Sequence, residues 1–124
     1  MATSKSDKKT ASWIGGALIF SGRPDPTWSV AGQAAGELES LWAGLQPSVE
    51  DLPAPPALGY RGAFLRDPGG REWLAYGGTV TLKTKSAVQS RLDPARQFEK
   101  LLLATAPPTQ LPPEVLRALR DGQL

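Results

Sequence analysis

The tetrapeptide Asp67-Pro68-Gly69-Gly70 separates two strand-forming stretches, Leu58 to Arg66 and Arg71 to Tyr76. Proline presets one backbone dihedral and glycine enters left-handed conformations without steric cost, so the chain has to reverse at this point. A β-hairpin is predicted, and any fold for this chain must contain an antiparallel strand pair. Gly77-Gly78 makes a second break. After it, Thr79 to Lys85 alternates as a half-buried strand, predicting Val80 and Leu82 toward a core and Thr79, Thr81, Lys83 and Lys85 toward water.

Upstream, Trp13 to Phe20 is an apolar run too short for a stable helix and interrupted by Gly15-Gly16. It reads as a central strand buried on both faces. Arg23-Pro24-Asp25-Pro26 ends it. From Ser29 the period changes: Val30, Ala34, Leu38, Leu41, Trp42 and Leu45 recur at helical spacing, with Ser29 as the expected cap and Pro47 beyond the end. Gly32 and Gly36 lie one turn apart on this helix, each costing up to about 1 kcal/mol relative to alanine, and close packing of the helix backbone on the sheet is the expected compensation. Pro47 to Leu58 is a proline-rich connector, expected to run as a surface strap. Asp93-Pro94 opens a further helix with Phe98, Leu101 and Leu102 as its buried stripe, and Pro112-Pro113 starts a last short one carrying Val115, Leu116 and Leu119.

The element order is thus β-α-β-β-β-α-α. It predicts an α+β domain: a small mixed, mainly antiparallel sheet of three to four strands with helices on one face. The helical crossover would make the first two strands parallel, and the hairpin would make the later ones antiparallel. Residues 13–124 form one domain behind a disordered basic arm, residues 1–12.

Composition excludes several chemistries. The 124 residues include no cysteine and no histidine, which removes thiolate catalysis, disulfides, zinc fingers and every relay built on imidazole. No metal or cofactor is expected. A carboxylate-based enzyme is a remaining alternative, with Tyr60, Tyr76 or lysine as helpers, but Glu37 and Glu39 point to different sides of a helix and no nucleophile has an identifiable base. Lys5, Lys8 and Lys9 against Asp7 account for the net charge of +2. The rest of the chain is balanced, which argues against nucleic acid as a partner. The apolar stretch from Ala11 to Phe20 contains Ser12, Gly15 and Gly16, lacks a cleavage pattern and is too short to span a bilayer, so a cytoplasmic protein is expected.

What remains is binding. Ser21 to Trp28 is the densest polar constellation: Arg23, Asp25 and Trp28 sit between a strand end and a helix start, where an anion or carboxylate can be held. Gly59-Tyr60-Arg61-Gly62 is a second candidate, because its glycines allow close approach to the backbone beside Tyr60 and Arg61, and it is expected to lie near the Arg23 to Trp28 loop. A third is the outward face of Thr79, Thr81, Lys83 and Lys85, continued by Arg91 and read as an exposed sheet edge. The preferred function is a small non-catalytic accessory domain that recognises a protein or peptide, the alternative being small-anion or nucleotide binding at the Arg23 to Trp28 loop.

Overall fold

The computed structural model describes residues 13–20, 24–48, 59–107, 109, 111 and 113–120. The arm, Arg23, most of the proline-rich connector and Pro112 lie outside the described residues. Strands β1 (Trp13–Phe20) and β2 (Thr27–Val30) precede helix α1 (Gly32–Ala43). Strands β3 (Gly59–Arg66), β4 (Glu72–Tyr76), β5 (Thr79–Lys83) and β6 (Val88–Leu92) follow, then a 3₁₀ turn (Pro94–Arg96), α2 (Gln97–Ala104) and α3 (Pro113–Arg120). One six-stranded sheet, ordered β2-β1-β3-β4-β5-β6, is the framework.

The fold is α+β as expected, with two strands more than the upper count and no parallel neighbours. All five strand pairs are antiparallel. The mixed sheet predicted from the helical crossover, with β1 and β3 parallel, is overturned: β1 and β3 are antiparallel because β2 intervenes before the helix. Both β2 and β3 run antiparallel to β1 on either side of it, so α1 joins two strands that point the same way. β2 escapes a periodicity reading because it is only four residues long and Val30 falls at helical spacing from Ala34 and Leu38. Trp28 and Val30 are buried while Thr27 and Ser29 are exposed, which is strand alternation. Ser29 is therefore a strand residue, and Ala31 stands at the helix start without a side-chain cap.

The buried apolar side chains of the helices share one cluster with Ala17, Trp28, Ala63, Leu65, Trp73, Ala75 and Val80. The pairing register puts these strand positions on one side of the sheet, and Trp73, Phe98, Leu38 and Leu102 at its centre are at most 1% exposed. Each large side chain buried this way contributes about 1.5–3 kcal/mol. Trp13 stacks on Trp73 with ring centroids 5.7 Å apart.

Glycine is required in β1 for room. A Cβ on Gly16 would stand 2.1 Å from Cζ of Phe64, and one on Gly15 would stand 2.7 Å from Nε1 of Trp28. The two adjacent glycines thus let one aromatic ring lie against each side of the central strand. Gly32 and Gly36 behave differently from expectation: a Cβ at either would meet nothing within 4 Å. The cluster is reached instead through Ala35, Leu38 and Trp42.

Both glycine-bearing turns close hairpins. The Asp67 carboxylate accepts the Arg71 backbone N–H at 2.7 Å and holds the Arg71 guanidinium at 2.5 Å. Gly77 and Gly78 have φ of 64° and 93°, the geometry of a two-residue turn matched to strand twist. Asp93 does serve α2, but at a distance: its carboxylate accepts the N–H groups of Phe98 (2.9 Å) and Glu99 (3.2 Å), and the helix begins only at Gln97. Between them Ala95 and Arg96 both sit at φ 56°.

Candidate functional site

The sheet's second side carries none of the helix-packed cluster. Its residues follow from the register. One row runs from Ser29 through Ile14, Arg66, Glu72 and Lys83 to Val88. The next runs from Thr27 through Gly16, Phe64, Leu74 and Thr81 to Ser90. Beyond it Tyr76, Thr79 and Leu92 lie abreast. Directly paired residues point to the same side, so the first row is a ladder of alternating charge flanked by aliphatic residues.

Within this face burial is graded. Phe64 is nearly closed off, with the Arg66 guanidinium 4.4 Å above its ring and the Arg66 Nε donating to Glu72 at 2.7 Å. Thr79 and Thr81 are 6% and 8% exposed, a correction to their expected exposure, since β6 flanks them and Thr81 shares a hydrogen bond with Ser90 at 2.9 Å. The strand from Thr79 to Lys83 is accordingly not a sheet edge. On β6 the gradient reverses: Val88 is 66% exposed and Leu92 46%, and these are the exposed large hydrophobics among the described residues. The two share one side of the strand, at positions i and i+4.

This strand inverts the usual pattern. Its polar residues Gln89 and Arg91 point to the helix side, where Arg91 donates to the Trp42 carbonyl at 2.7 Å and lies 4.3 Å over the Trp42 ring. Part of the outer backbone of β6 is occupied, since Ser48 donates to the Ser90 carbonyl and Leu92 donates to the Gln46 carbonyl. Lys83 and Lys85 are exposed and sit at the Val88 end, Lys85 in the turn from Thr84 to Ala87 that joins β5 to β6.

The other candidates lie elsewhere. Asp25 accepts the N–H of Ile19 at 2.8 Å, where the β1–β3 register shifts. Trp28 is 5% exposed, and its indole N–H donates to the Thr105 hydroxyl at 2.8 Å. Trp28 pairs with Gly15, whereas Tyr60 pairs with Ile19. Four residues, about 13 Å of strand, separate those rungs, so the structure does not bring Trp28 and Tyr60 to one point. Arg61 is half-buried on β3.

Tyr60 belongs to a buried polar group instead. Its hydroxyl donates a short hydrogen bond to Glu99, whose other carboxylate oxygen receives the Arg96 Nε at 3.2 Å. Arg96 also lies 5.6 Å from the Tyr76 ring centre, and the Tyr60 and Tyr76 rings stand 6.1 Å apart. Burial, and then the Glu99 carboxylate, push the Tyr60 hydroxyl far above its ordinary range. Burial also raises Glu99, against the opposing pull of the Tyr60 hydroxyl and Arg96. Asp93 is raised by burial too, opposed by the backbone N–H groups it accepts. Glu99 is 0% exposed, so its carboxylate has no opening to a substrate and the group acts as a bolt between β3, the 3₁₀ turn and α2.

Compared with known protein families, curated proteins and solved structures, the chain matches none. Among the described residues, no helix is long and apolar enough to cross a membrane and no cluster of acidic side chains is arranged to hold a metal ion.

Proposed function

We propose that the protein is a small non-catalytic binding module that holds a protein or peptide partner on the open side of its sheet, along β6. The observation that carries this reading is the exposure of Val88 (66%) and Leu92 (46%) on the same side of one strand. Single exposed aliphatic residues are ordinary, but two on one side of one strand, about 13 Å apart with half-buried Ser90 between them, form a strip with an apolar side chain at each end. On β5 the strip borders exposed Lys83 beside Val88 and buried Thr81 and Thr79 beside Ser90 and Leu92, so its apolar ends sit in a polar surround. Nucleic acid fits it poorly, because Arg66 is committed to Glu72 and the two lysines beside the strip, Lys83 and Lys85, are fewer than the several phosphate contacts such binding rests on. A reducing cytoplasm suits a chain without cysteine.

The test is site-specific photo-crosslinking in the native host. A crosslinking residue at Leu92 is expected to give a discrete adduct, and the same group at exposed Glu37 on α1 is expected to give none. Equal labelling at both positions, or no adduct at Leu92, would defeat the reading.

A further inference from the structure

We infer that the partner segment is acidic as well as apolar, an inference that rests on the docking strip proposed above. Lys83 stands directly across from Val88, and both are exposed. Lys85 lies three residues before Val88, in the turn linking their strands. Neither lysine forms an ion pair among the described residues. Glu72, the other cross-strand neighbour of Lys83, gives its carboxylate to Arg66 at 2.7 Å instead. Among the described residues the strip therefore presents two cations without an ion-pair partner at its Val88 end and an aliphatic side chain, Leu92, at the other.

A lysine whose task is only to guard a sheet edge belongs on the outermost strand, but Lys83 is on β5, one strand inside β6. Its position next to Val88 gives it a role in recognition. The complementary segment carries carboxylates facing Lys83 and Lys85, and an apolar residue about 13 Å further along, the reach of four strand residues. Two cations are too few for a lipid surface, which is held by larger basic clusters, so the observations favour a protein segment over an anionic bilayer.

The experiment is selection of a phage-displayed random peptide library against the immobilised full chain. Enriched peptides are expected to combine net negative charge with apolar residues. Their binding should weaken about tenfold or more in the double variant Lys83→Glu, Lys85→Glu, and fall with rising ionic strength. It should be lost in Val88→Asp, Leu92→Asp. All four positions are exposed, and circular dichroism with a thermal melt checks that each variant stays folded. If peptides lose binding to the Val88, Leu92 variant but are neutral or basic, or ignore the lysine changes, the acidic-partner inference falls and the docking strip stands. If enriched peptides bind the Val88, Leu92 variant undiminished, or none is enriched over the bare support, both fall. Sedimentation with phosphatidylserine vesicles that is lost on the lysine changes would overturn the inference in favour of a membrane surface.

Discussion

On one side of the sheet Trp73, Ala75 and Val80 are closed beneath three helices, whereas on the other Val88 is 66% and Leu92 46% exposed. Both sides belong to one sheet, and the difference lies in what each side does with its polar groups. On the helix side, charged groups are drawn in and fully engaged: Glu99 takes Tyr60 and Arg96, Asp93 takes two backbone N–H groups, and Arg91 closes over Trp42. On the open side the charges stay at the surface as a cross-strand ladder, and Lys83 has no ion-pair partner among the described residues. If the proposed docking strip is right, substitutions on the helix side should lower stability and those at Val88 and Leu92 should lower binding alone.

The largest expected contrast pairs Trp73→Ala with Leu92→Ala. Removing the buried indole should cost about 3–5 kcal/mol in a urea titration, and removing the exposed leucine about 0.5 kcal/mol or less. A Leu92→Ala loss approaching that of Trp73→Ala would show that the open side is part of the core. Gly16→Ala comes next, at about 1–3 kcal/mol, because the new methyl group enters the space of the Phe64 ring. Stability equal to the parent would mean that the ring moves aside freely. Gly36→Ala should go the other way and raise stability by up to about 1 kcal/mol, since the site is exposed, helical and open. Destabilisation there would indicate a contact against the outer surface of α1.

The smallest effect is in pH. Burial raises Glu99 above its ordinary value of 4.5, so the folded state holds that proton at a higher pH than the unfolded chain does. Its contribution is therefore fullest at acid pH and is lost as pH rises from 4.5 through the raised folded value. Asp67 has the opposite sign. Burial works against it, but the hydrogen bonds from Arg71 hold its carboxyl below 3.8, so its contribution is present above that pH and lost as pH falls. Measured by chemical denaturation at a series of pH values, Glu99→Gln should remove a decline in stability above pH 4.5. Unchanged pH dependence would mean that Glu99 titrates like an exposed acid.

Local chemistry made much of the framework legible. The hairpin at Asp67 to Gly70, the break at Gly77-Gly78, β1 and the cores of all three helices follow from turn residues and periodicity. β2 was hidden because a four-residue strand offers too few alternations to oppose the helical spacing of Val30 with Ala34. β6 was hidden because its aliphatic residues face outward while Gln89 and Arg91 face the helices, so hydrophobicity gives no inward signal. Among the candidate site residues, Lys83 lies on the strand the alternation predicts, whereas Lys85, read as part of the same strand, lies beyond its end in the turn from Thr84 to Ala87. Val88 and Leu92 were missed, although their alternation with polar neighbours was the available sign.

By itself the sequence determined where the chain reverses, which segments are amphipathic and which chemistries are absent, because these depend on the backbone preferences and functional groups of neighbouring residues. Only the tertiary structure decided which side of each strand is covered. Burial of Thr79, exposure of Val88, the engagement of Tyr60 with Glu99 and the empty space around Gly36 all depend on residues far away in the chain. A side chain's surroundings are set by packing between segments, and packing leaves no mark in the spacing of a single one.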